Sequence, residues 1–176
     1  MEPLKYRDIV IREAVIKDAP QLVKWWNDGK IMAHAGFPNG LGITTKKVEQ
    51  QLQIKDKTRL IIEIKGKMVG EMAFYPKDKD VEIGIKICES NYQNQGYGRT
   101  ILSLLIAYLF EIGYTKIVLD TNLTNLRAQH VYESLGFKKL RVNKDSWHDQ
   151  LGKAQSSVDY ELVAKDFVDY RKGNGK

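Results

Sequence analysis

The β-branched run Ile9-Val10-Ile11, between the polar Asp8 and Arg12-Glu13, predicts a half-buried strand over Asp8 to Ala14. From Asp18 to Asp28 the apolar residues Leu22, Val23, Trp25 and Trp26 recur at helical spacing and predict a helix. Gly36 to Gly42 reads as a glycine-rich loop, and Thr44 or Thr45 as the cap of a second helix through Gln53. Three strand-like runs follow, Arg59 to Lys65, Lys67 to Tyr75 and Val81 to Cys88. The Lys65-Gly66-Lys67 turn and the break at Pro76 to Asp80 make them an expected antiparallel meander.

The period changes after Gly96. Ile101, Leu102, Leu104, Leu105, Ile106, Leu109 and Phe110 surround most of the helix between Gly96 and Gly113, so this helix is expected to be buried on nearly all sides. Lys116 to Asp120 predicts a short strand and Thr124 to Leu135 a helix stopped by Gly136. Phe137 to Val142 and Ser157 to Val163 predict two more strands. The expected class is α+β, in one domain over residues 1–170 followed by a polar tail, residues 171–176, expected to fray.

Composition narrows the setting. A chain of 176 residues is expected to bury about 70% of its unfolded surface, and 43% hydrophobic with 28% charged residues excludes a mainly disordered chain. The lone cysteine, Cys88, allows no internal disulfide and no cysteine pair for zinc. There is no uncharged apolar stretch of about 18 residues, and Met1-Glu2-Pro3-Leu4-Lys5 lacks the pattern of a signal peptide, so the expectation is a cytoplasmic protein with no membrane partner. The net charge of +6 favours an anionic ligand, but the charges form no block, and nucleic acid is not an expected partner.

The segment most informative about chemistry is Gln93-Asn94-Gln95-Gly96-Tyr97-Gly98-Arg99-Thr100, between the end of a strand and the start of the buried helix. Glycines allow a tight turn there, and the first free N–H groups of a helix, at the positive end of its dipole, hold phosphate or pyrophosphate. Two common nucleotide motifs are excluded: the third glycine or alanine of a dinucleotide fingerprint is replaced by Ile101, and no Gly-Lys-Ser/Thr is present.

The same segment resembles the Gln/Arg-x-x-Gly-x-Gly/Ala motif of the GNAT superfamily of N-acetyltransferases, matched by Gln93, Gly96 and Gly98. A second segment resembles the superfamily's Asn-x-x-Ala-x-x-x-Tyr-x-x-x-Gly-Phe signature, with Asn125, Ala128, Tyr132, Gly136 and Phe137 in register. The branch it looks most similar to contains ribosomal-protein and spermidine acetyltransferases. The resemblance implies a three-layer, mixed but mostly antiparallel sheet flanked by helices, with a splay between its two central strands. It also implies acetyl-CoA as cosubstrate and no metal. Gln93, Asn94, Gln95, Gly96, Tyr97, Gly98, Arg99 and Thr100 would cradle the pyrophosphate, and backbone groups at Ile87 and Cys88 would pair with the pantetheine arm. Asn125 would bond the arm, and Tyr132, two helical turns on, would protonate the departing thiolate.

Glu82 is the expected base, with Glu71 or a water as its rival. An alkyl amine of pKa near 10 is neutral about once in a thousand at pH 7, roughly 4 kcal/mol against attack, whereas an α-amine near 8 loses only about 1.4 kcal/mol. Trp26, His34 and Phe37, with Glu82, would shape the acceptor pocket, although tryptophans at helical spacing also serve as core. Cys88 reads as a structural thiol rather than a nucleophile, and His34, His130 and His148 as incidental, His34 and His148 in loops. Asn122-Leu123-Thr124 reads as a helix cap rather than a glycosylation site. The acceptor is expected to be a primary amine: a protein N-terminus, polyamine, aminoglycoside or small metabolite. The alternative is a non-enzymatic acyl-CoA sensor on the same fold, and assembly as a homodimer stays open.

Overall fold

The computed structural model describes residues 1–172. A short β1 (Leu4–Tyr6) pairs antiparallel with β2 (Ile9–Glu13), in which Ile9 and Ile11 are buried. The predicted first helix is α1 (Ala19–Trp26), with proline in its first turn. It is followed by a one-turn α2 (Gly29–Met32), whose Lys30 N–H donates to the Asp28 carboxylate at 2.8 Å. Thr44 caps α3 (Thr45–Leu52). The meander is β3 (Thr58–Ile64), β4 (Lys67–Lys77) and β5 (Asp80–Ile87), and the buried helix is α4 (Tyr97–Glu111). After it come β6 (Lys116–Asn122), α5 (Leu126–Ser134), β7 (Lys138–His148) and β8 (Ala154–Val163).

Among the described residues, eight strands form one sheet of order β1-β2-β3-β4-β5-β6-β8-β7. β5 and β6 run parallel, and the other neighbouring pairs are antiparallel. Two apolar clusters hold the layers. The larger joins α4 and α5 to the sheet through residues such as Leu60, Ile62, Val81, Ile101, Leu105 and Leu162, and the smaller joins Leu22, Trp25, Trp26 and Val48 to Ile61. Each fully buried Leu or Ile contributes about 1.5–3 kcal/mol, so these clusters hold the sheet's strands in place.

Four expectations are corrected. β1 leaves no signal in the sequence because three residues carry too little alternation to register. β7 extends past Val142 to His148, so His148 ends a strand rather than sitting in a loop. Nearly all of β7 is exposed, and its pairing with β8 is made by backbone bonds that leave no mark in side-chain pattern. The cap of α5 is Asn125, whose side chain accepts from Ala128 N–H at 3.3 Å, while Asn122 accepts from Thr124 N–H and hydroxyl in the turn before it. Arg171 is anchored rather than frayed: its carbonyl accepts from the Tyr6 hydroxyl at 2.6 Å and its guanidinium pairs with Asp169. Residues 173–176 of the expected tail lie outside the described residues.

Gly136 ends α5 at φ +97°, and a Cβ there would lie 1.9 Å from the Asp166 carbonyl oxygen. Gly136→Ala therefore combines left-handed strain, about 1–2 kcal/mol, with a backbone clash. Urea unfolding should show a loss of at least about 2 kcal/mol; an unchanged midpoint would mean that the turn relaxes freely.

Candidate active site

The ladder between β5 and β6 consists of Asp80↔Lys116, Val81↔Ile117 and Glu82↔Val118, after which the strands part. Peptide groups alternate in direction along a strand. The Cys88 N–H is directed at β4, bonding Val69 O at 2.9 Å, so Ile85 and Ile87 direct their peptide groups to the opposite edge, where β6 has diverged. There the Gln93 side-chain amide donates to the Ile87 carbonyl at 2.8 Å. The gap widens into a cleft of about 1230 Å³ between β5, β6, the start of α4, α5 and the α1–α2 turn, with Trp147 of β7 on its wall.

At one end of this cleft the chain turns left-handed at Asn94 (φ 58°) and Gly96 (φ 81°) before entering α4. The first turn of α4 directs free N–H groups and the positive end of its dipole at the opening. A Cβ added at Gly98 would meet only the tip of Ile87, at 3.9 Å, so the space before this helix start is open. Arg127 donates to the side-chain oxygens of Gln93 and Asn94 at 3.2 and 3.3 Å, and Arg99 approaches His130 Nε2 at 3.0 Å. This end of the cleft brings together backbone N–H groups and two guanidiniums, donors of the kind that suit an anion.

Tyr132 stands at the centre. Its ring packs against Phe137 and Tyr160 at centroid distances of 5.8 and 5.9 Å. Its hydroxyl has no protein hydrogen bond among the described residues and opens into the cleft. Burial, with a smaller effect of Asp120, pushes the phenol up to about 12, which keeps the proton on it at neutral pH. Asn125 lines the same wall, its oxygen committed to capping α5 and its amide left to the cleft. No sequence motif marks Asp120. It lies on the β6 wall, two residues beyond the last β5 pair and directly opposite Asp159 of β8. Desolvation, then Glu82 and Asp159, raise its carboxyl above the usual range.

The remaining candidates sort by position. Gln93, Asn94, Gly96, Gly98, Arg99, Ile87 and His34 line the cleft. Gln95 and Thr100 are outside its lining, and Tyr97 packs beside Tyr92 at 6.0 Å. Cys88 reaches the cleft wall, but its amide bonds Val69 and its thiol is buried and shifted upward, chiefly by desolvation and next by Glu71. The Ile85 peptide, not that of Cys88, faces the gap.

Glu82 is corrected as the base: it stands before the splay, outside the cleft lining, and its carboxylate is held by Lys77. Glu71 is also corrected, being buried and bonded by Trp26, Arg59 and Lys86. Trp26 is core, buried with its N–H on Glu71, and Phe37 lies outside the cleft lining. Beside His34 the cleft is lined by Trp25 and by Trp147, the latter brought over Gly36 because Gln150 bonds the Gly36 and Gly40 carbonyls. No periodicity announced it, since the contact joins distant segments. Among the described residues, no three metal-ligating side chains cluster.

The acetyltransferase (GNAT) domain family model matches residues 8–138, most of the chain. Human N-acetyltransferase 8 is 27% identical over 85 residues, covering 45% of this chain and 37% of that protein. The chain thus spans about a third of the length of the curated relatives it matches, 37% and 30% for the first two. The fold is shared with spermidine N-acetyltransferase from Vibrio cholerae in complex with CoA and spermine (TM-score 0.80, 18% identity, 92% of this chain and 98% of that one). It is also shared with ribosomal-protein-alanine N-acetyltransferase from Brucella melitensis (TM-score 0.74, 21% identity, 87% and 98%).

Proposed function

The chain belongs to the GNAT acetyltransferase family, and we propose that residues 1–170 act as one cytoplasmic, acetyl-CoA-dependent N-acetyltransferase domain that transfers the acetyl group directly to a primary amine. The observation that carries this reading is the Tyr132 hydroxyl, without a protein partner and open to a cleft that joins a strand splay to an anion-binding helix start. The residues fit the cosubstrate: the space before Gly98 admits a pyrophosphate, and the Ile85 and Ile87 peptide groups lack a strand partner where an amide-bearing arm would lie. When bound, acetyl-CoA supplies an acetyl group activated as a thioester.

The chain's own residues supply the rest. The α4 start, Arg99 and Arg127 hold the phosphates, and the β5 edge orients the arm through directional hydrogen bonds. Asp120, its carboxyl raised in basicity chiefly by desolvation, accepts the proton leaving the amine. Tyr132 keeps its proton until the sulfur departs. The desolvation that raises the phenol also makes a departing thiolate more basic, so donor and acceptor stay matched.

Three measurements test the assignment. Gly98→Asp adds a side chain and a negative charge in front of α4, and calorimetry should show acetyl-CoA binding at least tenfold weaker, about 1.4 kcal/mol; unchanged affinity in a folded variant removes this segment from the site.

Tyr132→Phe keeps the ring and deletes the donor. Single-turnover acetylation should slow by about 100-fold or more with acetyl-CoA affinity nearly unchanged. A variant retaining a third of the rate would make Tyr132 a packing residue.

Asp120→Asn should lower kcat/KM about tenfold or more at pH 7 for an α-amine, and the loss should narrow near pH 9, where the amine is already neutral. A pH-independent loss would assign Asp120 to positioning instead of proton transfer.

A further inference from the structure

The acceptor end of the cleft is electrically polarised, and the cause lies in Glu71. This carboxylate, 5% exposed, accepts from Trp26 Nε1 at 2.7 Å, from Arg59 at 2.6 Å and from Lys86 Nζ at 3.4 Å. Arg59 makes the short contact and also stacks on the Trp26 ring, 4.4 Å from its centroid. One carboxylate therefore stands between two cations, and the guanidinium holds it more tightly. The other neighbour of Lys86 Nζ is the Met32 sulfur at 3.1 Å, which carries no charge. Lys86 lines the cleft with its side chain about a quarter exposed (27%), so a partly desolvated ammonium faces the ligand space with its charge only partly balanced.

The surroundings reinforce that sign. Lys24 and Lys30 are on the same wall, whereas Asp28 caps α2 and Glu89 accepts from Trp25 Nε1 at 2.9 Å. Gly84 shares a face of β5 with Lys86, roughly 7 Å away along the strand, and nothing lies within 4 Å of where its Cβ would be. The floor beside Lys86 is thus bare and can seat a substituent of the acceptor. Across the splay lies the opposite pole, Asp120 with Asp159 and Glu82 behind it.

We infer that the acceptor is an amine bearing a carboxylate close to the attacked nitrogen, its ammonium end facing Asp120 and its carboxylate bound by Lys86. A free amino acid, through its α-carboxylate, and a peptide beginning with an acidic residue, through its side chain, share this chemistry. A polyamine or aminoglycoside would place a second cation against Lys86. The inference rests on the acetyltransferase reading and deepens it.

CoA release should be measured with Asp-Gly-Gly-amide, Ala-Gly-Gly-amide, Lys-Gly-Gly-amide, free aspartate and spermidine. The expected result is a kcat/KM for an aspartyl acceptor at least tenfold above that for the alanyl peptide, with the lysyl peptide and spermidine lower still. The two aspartyl acceptors distinguish amino acid from peptide. In Lys86→Gln, which keeps an N–H donor toward Glu71, the acidic-to-neutral ratio should fall about tenfold, and Lys86→Arg should retain it. Preference for spermidine or the lysyl peptide, or an unchanged ratio in Lys86→Gln, would overturn the inference. Calorimetric titration of the same peptides into CoA-saturated protein reads the preference even without turnover. CoA binding with no preference for the aspartyl peptide overturns this inference alone, whereas absent CoA binding overturns the acetyltransferase reading and the inference with it.

Discussion

Once β5 and β6 part after Glu82 and Val118, the peptide groups of Ile85 and Ile87 face no strand, and a buried peptide group without a partner costs about 1–3 kcal/mol. The sheet can tolerate that edge only where something polar completes it. The Gln93 amide completes one carbonyl and thereby ties the strand to the loop that starts α4. The rest of the edge opens into the cleft, where a bound amide or water can reach it. The anion site and Tyr132 are each placed by the same divergence: the α4 start fills the mouth of the gap, and α5 stands beside it.

Three carboxylates near this gap show how surroundings assign different roles to one functional group. Glu71 is enclosed by an indole N–H and two cations and is held as a fixed charge. Glu82 sits before the strands separate and is held by Lys77. Asp120 is partly desolvated, with Glu82 and Asp159 as like charges near it, and it faces the cleft, so its basicity rises and a proton can reach it. A base must be ionised, accessible and raised in affinity for a proton, and of these three the position of Asp120 fits best.

Much of the fold was legible in the chain. The β3–β5 meander, the enveloping apolar surface of α4 and the glycine stop at Gly136 follow from local periodicity and from the conformations that only glycine adopts readily. The short β1 and the outer half of β7 were not legible, since pairing at an exposed edge is made by backbone bonds. The candidate site was legible where function and helix start coincide in sequence, from Gln93 to Arg99 and from Asn125 to Tyr132.

The sequence by itself determined the order of the longer elements, the helix start able to hold an anion and the register of Asn125 with Tyr132, because each depends on residues within a few turns of one another. Only the tertiary structure decided that Asp120 rather than Glu82 faces the cleft, that Trp26 is core while Trp147 closes over Gly36, and that Lys86 shares one carboxylate with Arg59. Those outcomes depend on which strands lie side by side and where they separate, and charge and burial at a point in space are sums over segments far apart in the chain.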